Sequence, residues 1–330
     1  MRIERAIILV ADGVGCGGAP DAAEYGDAGA DTLGNLSRAV GPLALPNLEL
    51  LGLGHTTTIA GVGAGQTRGA YGTMTEASAG KDTITGHWEM AGLVTNQALP
   101  TFPQGFPPLI LDELYAICER ARAVADRHRI GRVIARPFVG TPGHFQRTYN
   151  RRDYSLVPPE PTLCDSIVAA GLPVVGVGKI SDIFAGRGIS TSLHSEGNVD
   201  GLRLTLEALP QLGRGLLFVN LVDFDMLYGH RNDTTGFYRG LRELDDWLPA
   251  FQGAMRAGDV AFITADHGND PTTPGTDHTR ERVPLLAFGP GVKSRPLGVR
   301  ASFCDLGQTI ADGLDLAPLE RGESFLNQLV

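Results

Sequence analysis

The fold is indicated by one segment, Asp259-Val260-Ala261-Phe262-Ile263-Thr264-Ala265-Asp266-His267-Gly268-Asn269-Asp270. Its first half, 259–264, is a short apolar run typical of a buried strand. Asp266 and His267 follow where this predicted strand ends, which is the usual place for site residues in an α/β protein. His278 lies a few residues further on. Carboxylate and imidazole ligands together suit divalent zinc, manganese or iron better than calcium.

Two more predicted strands end in residues of the same types. Residues 215–222 form an apolar run fit for a central parallel strand, and Asp225 and His230 follow it. Residues 6–11 form another such run, which ends at Asp12. One aspartate after a strand is often only a helix N-cap. Three strand ends that deliver Asp and His, however, predict a two-metal site of the kind that clamps the attacking and leaving oxygens of phosphoryl transfer.

A candidate nucleophile lies in a fourth segment, Ser78-Ala79-Gly80-Lys81-Asp82-Thr83-Ile84-Thr85-Gly86-His87-Trp88-Glu89. The hydroxyl of Thr83, at the start of a predicted helix and beside metal ions, is well placed to ionise and attack phosphorus. The segment is not a Walker A loop, because the GxxxxGK[ST] order is absent. An Asx or Ser/Thr turn that only caps the helix is the alternative interpretation.

Strands and helices are predicted to alternate, which indicates an α/β protein with a mostly parallel central sheet and helices on both faces. Shifts in composition at 100–108 and 151–161 bracket an inserted domain. We therefore predict a discontinuous core, 1–102 and 154–330, and a small cap domain, 103–153, with one helix and little strand. The predicted strands are 6–11, 132–135, 174–178, 215–222, 260–264 and 283–288, and the predicted helices are 111–128, 162–170, 202–209, 238–257 and 306–314.

Composition limits the function classes. The chain has 330 residues and a formal net charge of −9, which argues against general nucleic-acid binding. No apolar run approaches the length of a membrane span. The four cysteines are far apart and form no CxxC motif, so free thiols and a cytoplasmic location are expected.

Arginine is concentrated in residues 118–153, which hold nine arginines and three acidic residues. The arginines that flank the predicted strand 132–135 and the loop after it predict a phosphate-facing surface, because guanidinium groups suit bidentate phosphate contacts. The arginines on the predicted helix before it are expected to form a solvated face; these are Arg120, Arg122, Arg127 and Arg129.

Together these segments resemble the phosphopentomutases of the alkaline phosphatase superfamily. The most specific likenesses are Lys81-Asp82-Thr83 with Thr85-Gly86-His87-Trp88-Glu89, and Gly275-Thr276-Asp277-His278-Thr279-Arg280-Glu281, and further matching segments run along the whole chain. The resemblance implies that Thr83 carries the transferred phosphoryl group. It implies two metal ions, usually manganese in this family, of which one is held by Asp12, Asp266, His267 and Thr83 and the other by Asp225, His230 and His278. The positions that match those holding the phosphosugar are Arg132, Ile134, Arg147 and Lys179.

The implied reaction interconverts ribose 1-phosphate and ribose 5-phosphate, or their deoxyribose equivalents, through a phosphothreonine and a bisphosphate, with a sugar bisphosphate as primer. The chain departs from the family between Phe106-Pro107 and Pro108-Leu109, where it lacks tens of residues, including a Ser-Ala-Asp-Ser segment that contacts the ribose. The shortened cap makes a metal-dependent phosphomonoesterase on the same core the alternative. A phosphoglycerate mutase is disfavoured because that group uses a serine in a different loop. An inactive metal-bound scaffold is disfavoured by the complete ligand set.

Overall fold

The computed structural model describes residues 2–99, 111–128, 130–135, 138–139, 146–147 and 152–330. The strands in this part of the chain are β1 (Arg5–Ala11), β2 (Ala70–Met74), β3 (Arg132–Ala135), β4 (Phe138–Val139), β5 (Gln146–Arg147), β6 (Arg152–Ser155), β7 (Val174–Val177), β8 (Thr191–Leu193), β9 (Gly215–Leu221), β10 (Asp259–Thr264), β11 (Val283–Phe288) and β12 (Pro296–Arg300). The α-helices are α1 (Thr32–Val40), α2 (Pro46–Leu51), α3 (Thr83–Met90), α4 (Leu111–Arg127), α5 (Leu163–Ala169), α6 (Ile180–Ile183), α7 (Asn198–Ala208), α8 (Thr234–Ala254) and α9 (Cys304–Gly313).

Eight strands form the central sheet, in the order β12-β2-β11-β10-β1-β9-β7-β8. β1 lies between β9 and β10 and pairs parallel with both. β7 continues the parallel pairing between β9 and β8, whereas β11 pairs antiparallel with β10 and β2. The sheet is therefore mostly parallel, and the predicted fold class is confirmed.

The central strands are buried on both sides. Every residue of β1, β9, β10 and β11 is buried, which is why these strands consist mostly of apolar residues. Two separate groups of helices pack around the sheet: α8 contacts α1, α2 and α7, and α9 contacts α3 and α5. No helix in the described ranges is long and apolar enough to cross a membrane.

The strand order brings three strand ends to one edge of the sheet. β9, β1 and β10 are neighbours and run in the same direction, so their carboxyl ends lie side by side. Asp12 follows β1, Asp225 follows β9, and Asp266 follows β10. The topology thus explains why residues from distant parts of the sequence meet at one place.

The segment predicted to be the cap contains more strand than expected. β3 pairs antiparallel with β6, β4 pairs with β5, and α4 packs against β3 and β6. Of these strands the sequence predicts only β3; β4, β5 and β6 are too short to show a clear apolar period. The predicted domain boundary after residue 153 falls within β6, and the domain division itself stays a prediction.

Arg122 does not belong to a solvated helix face. Its side chain is 12% exposed and forms an ion pair with Asp126 at 2.8 Å. It also donates hydrogen bonds to the carbonyl oxygens of Ile130 at 2.6 Å and Tyr154 at 3.0 Å. The guanidinium thus joins α4 to the segments around β3 and β6, which corrects the expectation for this arginine.

Candidate active site

The first ligand group consists of Asp12, Asp266 and His267, whose ligand atoms all lie within 4.8 Å of one another. All three side chains are buried. Asn220 Nδ2 donates to Asp12 Oδ2 at 2.7 Å, and the Gly13 amide donates to Asp266 Oδ1 at 3.0 Å. The remaining oxygens, Asp12 Oδ1 and Asp266 Oδ2, have no hydrogen-bond partner. Two buried carboxylates with free oxygens facing an imidazole nitrogen fit a divalent cation.

The second ligand group gathers around Asp225. His278 Nε2 lies 3.2 Å from Asp225 Oδ1, and His230 Nε2 lies 3.3 Å from Asp225 Oδ2 and 3.3 Å from His278 Nε2. His267 also approaches this group, since one ligand atom each from Asp225, His267 and His278 lie within 4.8 Å of one another. Asn269 Nδ2 donates to Asp225 Oδ1 at 2.6 Å. The structure therefore brings both predicted ligand sets together, with His267 between them.

The two groups differ in exposure. Asp12, Asp266 and His267 are at most 1% exposed, whereas the His230 side chain is 37% exposed. Asp225 lies in a π-helical turn, Phe224–Tyr228, a rare conformation that is frequent at functional sites. The first group is thus enclosed, and the second opens towards solvent.

Burial and charge act on the protonation of these groups. Burial raises the pKa of Asp12 well above its usual range, and the charges of Asp266 and Asp225 raise it further. Burial lowers the pKa of His267, which favours the neutral imidazole with a nitrogen lone pair that can bind a cation. Burial also opposes protonation of His278, but its hydrogen bond to Asp225 and the charge of that group raise its pKa to about 9. Repulsion among the carboxylates is what a bound cation would relieve.

Thr83 is the first residue of α3, and its Oγ1 lies 3.2 Å from His267 Nε2. The helix is capped by Asp82, whose carboxylate accepts hydrogen bonds from the amides of Ile84 at 3.0 Å and Thr85 at 3.1 Å. Capping is therefore the task of Asp82, and the Thr83 hydroxyl points to the ligand groups.

Gly86 allows α3 to lie directly on the loop after β10. A Cβ atom at this position would be 2.1 Å from the carbonyl oxygen of Asp266. Because any larger residue would push α3 away, the close contact holds Thr83 near Asp266 and His267.

Arg280 fixes the loop before Thr83. This arginine is 3% exposed and donates to the Gly80 carbonyl at 2.6 Å and to Glu76 Oε2 at 2.6 Å. Its guanidinium also pairs with Asp21 at 3.1 Å. The adjoining Lys81 carbonyl lies 2.9 Å from His278 Nδ1. The loop of the candidate nucleophile is thus tied to the second ligand group.

Four buried residues support the site without having been predicted as site residues. No local pattern marks them as site residues, because each acts through a contact with a residue that is far away in the sequence. They are His87, Asn220, Asn269 and Arg280.

The candidate sugar-binding residues are less closely gathered. Lys179 lines a cavity of about 390 Å³ together with Ser195, Asp223 and Met226. Within the described ranges its ammonium group has no hydrogen bond or ion pair, and its charge acts on Asp12. Arg132 and Ile134 lie on β3 and are half-buried.

Arg147 lies on β5, opposite Phe138 of β4. Its side chain falls outside the part of the chain that the structure describes. The contact of this arginine with a phosphosugar therefore stays a prediction.

Comparison with solved structures supports the fold. A protein from Pyrococcus horikoshii matches with a TM-score of 0.55 at 14% identity, over 96% of this chain and 97% of that one. A protein in the alkaline phosphatase superfamily from Vibrio parahaemolyticus matches with a TM-score of 0.52 at 14% identity, over 95% of this chain and 66% of that one. Such low identity indicates a shared fold alone.

Sequence comparison gives longer and closer matches. The phosphopentomutase of Anaeromyxobacter dehalogenans is 48% identical over 384 aligned positions, which cover 98% of each chain. The phosphopentomutase of Clostridium novyi is 44% identical over 388 positions, covering 99% of this chain and 100% of its own. Because 330 residues cannot fill 384 positions, at least 54 of them have no residue here. This shortfall agrees with the predicted omission, whose place between Phe106 and Leu109 lies outside the described residues.

A family model supplies the broader class. The model of the metalloenzyme superfamily matches residues 4–318, nearly the whole chain. That match agrees with the two ligand groups found at the carboxyl ends of β1, β9 and β10. With relatives at 43–48% identity over almost their full length, the chain belongs to the phosphopentomutase family of the metalloenzyme superfamily.

Proposed function

We propose that this enzyme interconverts ribose 1-phosphate and ribose 5-phosphate, and the corresponding deoxyribose phosphates, through a phosphothreonine at Thr83 and a sugar bisphosphate. The proposal rests on the position of Thr83 Oγ1, which lies 3.2 Å from Nε2 of His267, the residue that belongs to both ligand groups. A hydroxyl at a helix N-terminus, next to two clusters of metal-ligand side chains, is placed to accept and donate a phosphoryl group.

Two divalent cations, which we propose to be Mn²⁺, fit the ligand groups. The first would be held by Asp12, Asp266 and His267 with Thr83 Oγ1, and the second by Asp225, His230 and His278. When bound, they supply positive charge that lowers the pKa of the threonine hydroxyl and neutralises the oxygens of the transferred phosphoryl group.

The residues of the chain would act in two half-reactions. Phosphorylated Thr83 donates its phosphoryl group to the free hydroxyl of the phosphosugar, so the bond from phosphorus to the threonine oxygen breaks and a bond to the sugar oxygen forms. The hydroxyl proton passes to water, and the product is a sugar bisphosphate. After the bisphosphate has turned around, its other phosphoryl group moves to Thr83 Oγ1, so the bond from phosphorus to that sugar oxygen breaks and a bond to the threonine oxygen forms. The threonine proton is lost to water, the sugar oxygen takes up a proton from water, and the phosphorylated enzyme is restored. Lys179 would hold the phosphate that is not being transferred.

Phosphate release from the phosphothreonine is the second candidate activity. A cap that closes over the site keeps water away from the phosphothreonine. At least 54 positions of the alignment with a relative have no residue in this chain, so fewer residues are available to form a cap over the site. The missing positions therefore support a metal-dependent phosphomonoesterase activity as the second candidate.

Incubation with Mn²⁺ and ribose 1-phosphate, with and without a sugar bisphosphate primer, separates the two activities. We expect primer-dependent formation of ribose 5-phosphate accompanied by measurable free phosphate. Grafting the longer segment of a relative between Phe106 and Leu109 should raise the ratio of isomerisation to phosphate release. Release of phosphate without any ribose 5-phosphate would contradict the mutase proposal. Isomerisation without phosphate release would remove the second activity.

Removal of the charge at Lys179 should weaken phosphosugar binding more than metal binding. A charge-assisted hydrogen bond contributes about 1.5–3 kcal/mol, so Lys179→Met should raise KM for ribose 5-phosphate by roughly 10- to 150-fold. Metal content should be unchanged. The matched control is Lys293→Met, since Lys293 is an exposed lysine. An equal KM in the two variants would place Lys179 outside the sugar-binding site.

A further inference from the structure

His87 lies on α3 between the candidate nucleophile and the first ligand group. The imidazole is fully buried, and its Nδ1 lies 2.8 Å from the carbonyl oxygen of Thr83. The same nitrogen lies 3.1 Å from Asp266 Oδ2, close enough for an N–H dipole to stabilise the carboxylate. One side of the ring therefore faces two oxygen atoms that can accept a hydrogen bond.

The other side of the ring faces a donor. The Nδ2 atom of Asn220 lies 3.3 Å from His87 Nε2 and also donates to Asp12 Oδ2 at 2.7 Å. Because Nδ1 faces acceptors and Nε2 faces an amide N–H, the neutral tautomer with its proton on Nδ1 satisfies both sides. In this tautomer an unbroken series of contacts runs from Asp12 through Asn220 and His87 to Thr83.

The strand β9 holds this arrangement in place. Phe218 and Asn220 are two residues apart on β9, so their side chains lie on the same side of the sheet. The Phe218 ring stacks on the His87 ring with centroids 5.7 Å apart, while Asn220 meets the ring edge. Both residues are fully buried, so the orientation of the His87 ring is fixed by packing as well as by hydrogen bonds.

We propose that His87 and Asn220 are positioning residues that hold Asp12, Asp266 and Thr83 in one fixed geometry for the cation of the first group. The expected effect on kcat rests on the proposed function, whereas the expected effect on Mn²⁺ affinity is independent of it. Asn220 donates to Asp12 Oδ2 and leaves Asp12 Oδ1 without a hydrogen-bond partner, while His87 Nδ1 lies 3.1 Å from Asp266 Oδ2. Hydrogen bonds from residues that do not themselves bind the metal orient the residues that do.

If His87 has a purely structural role, three variants at this position should rank differently in Mn²⁺ affinity than if it positions the ligands. If the ring only fills space on Phe218, then His87→Phe preserves the packing and His87→Asn leaves a cavity. If the Nδ1 proton matters, then His87→Asn is the better substitute, because its amide N–H can occupy the Nδ1 position. His87→Gln instead keeps a polar group near Asn220 and loses the contact with Thr83. The order of the three variants therefore separates the two roles.

The test measures Mn²⁺ affinity by calorimetry and, separately, kcat and KM for ribose 5-phosphate. Loss of an outer contact of this kind typically costs about 10- to 100-fold in metal affinity or activity. We expect His87→Phe to weaken Mn²⁺ binding and lower kcat by that range with a nearly unchanged KM. His87→Asn should recover most of both losses and His87→Gln little. Asn220→Ala should weaken Mn²⁺ binding without any change at residue 87, which keeps the test decisive if His87→Phe fails to fold.

The control is His55→Phe, because His55 also stacks on an aromatic ring, that of Tyr71, and contacts a backbone carbonyl. It should leave both measurements unchanged. Wild-type Mn²⁺ affinity in His87→Phe, or better binding in His87→Phe than in His87→Asn, would overturn the inference. If the wild-type chain shows no mutase activity but the variants still lose Mn²⁺ affinity, the proposed function is rejected and the inference about His87 and Asn220 stands.

Discussion

We expect Thr83→Ala to abolish phosphoryl transfer while the fold and bound metal are largely retained. Removal of a nucleophilic hydroxyl that acts covalently costs on the order of 10⁴-fold or more in kcat. The helix should still form, because α3 is capped by Asp82 and not by Thr83. The measurements are ribose 5-phosphate formation, melting temperature and metal content, together with mass spectrometry of the chain after incubation with a sugar bisphosphate.

Thr83→Ser is the matched control for this experiment. The serine keeps the attacking oxygen and loses only a methyl group, so we expect reduced but measurable turnover and a phosphorylated residue at position 83. Normal turnover of Thr83→Ala, or phosphorylation at another position in that variant, would show that the nucleophile is assigned wrongly.

Asp266→Asn should remove nearly all metal from the first ligand group, whereas His230→Ala should weaken the second. Asp266 is fully buried and offers its free Oδ2 beside Asp12, so the neutral amide removes charge that no solvent can replace. We expect a loss of affinity above the roughly 100-fold limit typical of outer contacts. His230 is about one-third exposed, so water can take the place of its nitrogen and the loss should be smaller. Metal analysis after gel filtration and isomerisation assays measure both effects.

Asp246→Asn provides the control for charge removal. Its carboxylate is 61% exposed and pairs with Arg242 on α8. This variant should bind metal as the wild type does. Two metal ions bound at full strength in both Asp266→Asn and His230→Ala would rule out the proposed ligand sets.

The long strands of the central sheet could be predicted because apolar residues occupy most positions on both of their faces. β3 and β11 match their predicted bounds, and β1, β9 and β10 differ from theirs by one residue. β2 and β12 were missed because glycine and proline interrupt them, as in Pro296-Leu297-Gly298. α8 begins at Thr234, before the predicted 238, because Asp233 caps a polar first turn that shows no apolar period.

The candidate ligand residues could be predicted because three separate apolar runs are each followed by Asp, and two of them also by His. Their supporting residues could not, since each acts through a contact that only the folded chain creates. Asn220 meets Asp12 across 208 positions of sequence, and Arg280 meets Gly80 across 200. His87 lay in a quoted motif, but its two-sided hydrogen bonding depends on β9 lying beneath α3. The sequence therefore predicts which residues are candidate ligands, and tertiary contacts identify the residues that surround them.

The central place of β1 has a consequence for how the chain is made. Arg5 of β1 pairs with Asp259 of β10, which is 254 positions later. The ribosome therefore synthesises this mostly apolar strand long before either of its partner strands exists. Contacts of such long sequence separation form slowly, and an unpaired apolar strand is prone to aggregate. The two ligand groups can therefore come together only after His278, the last of their residues in the sequence, has been synthesised.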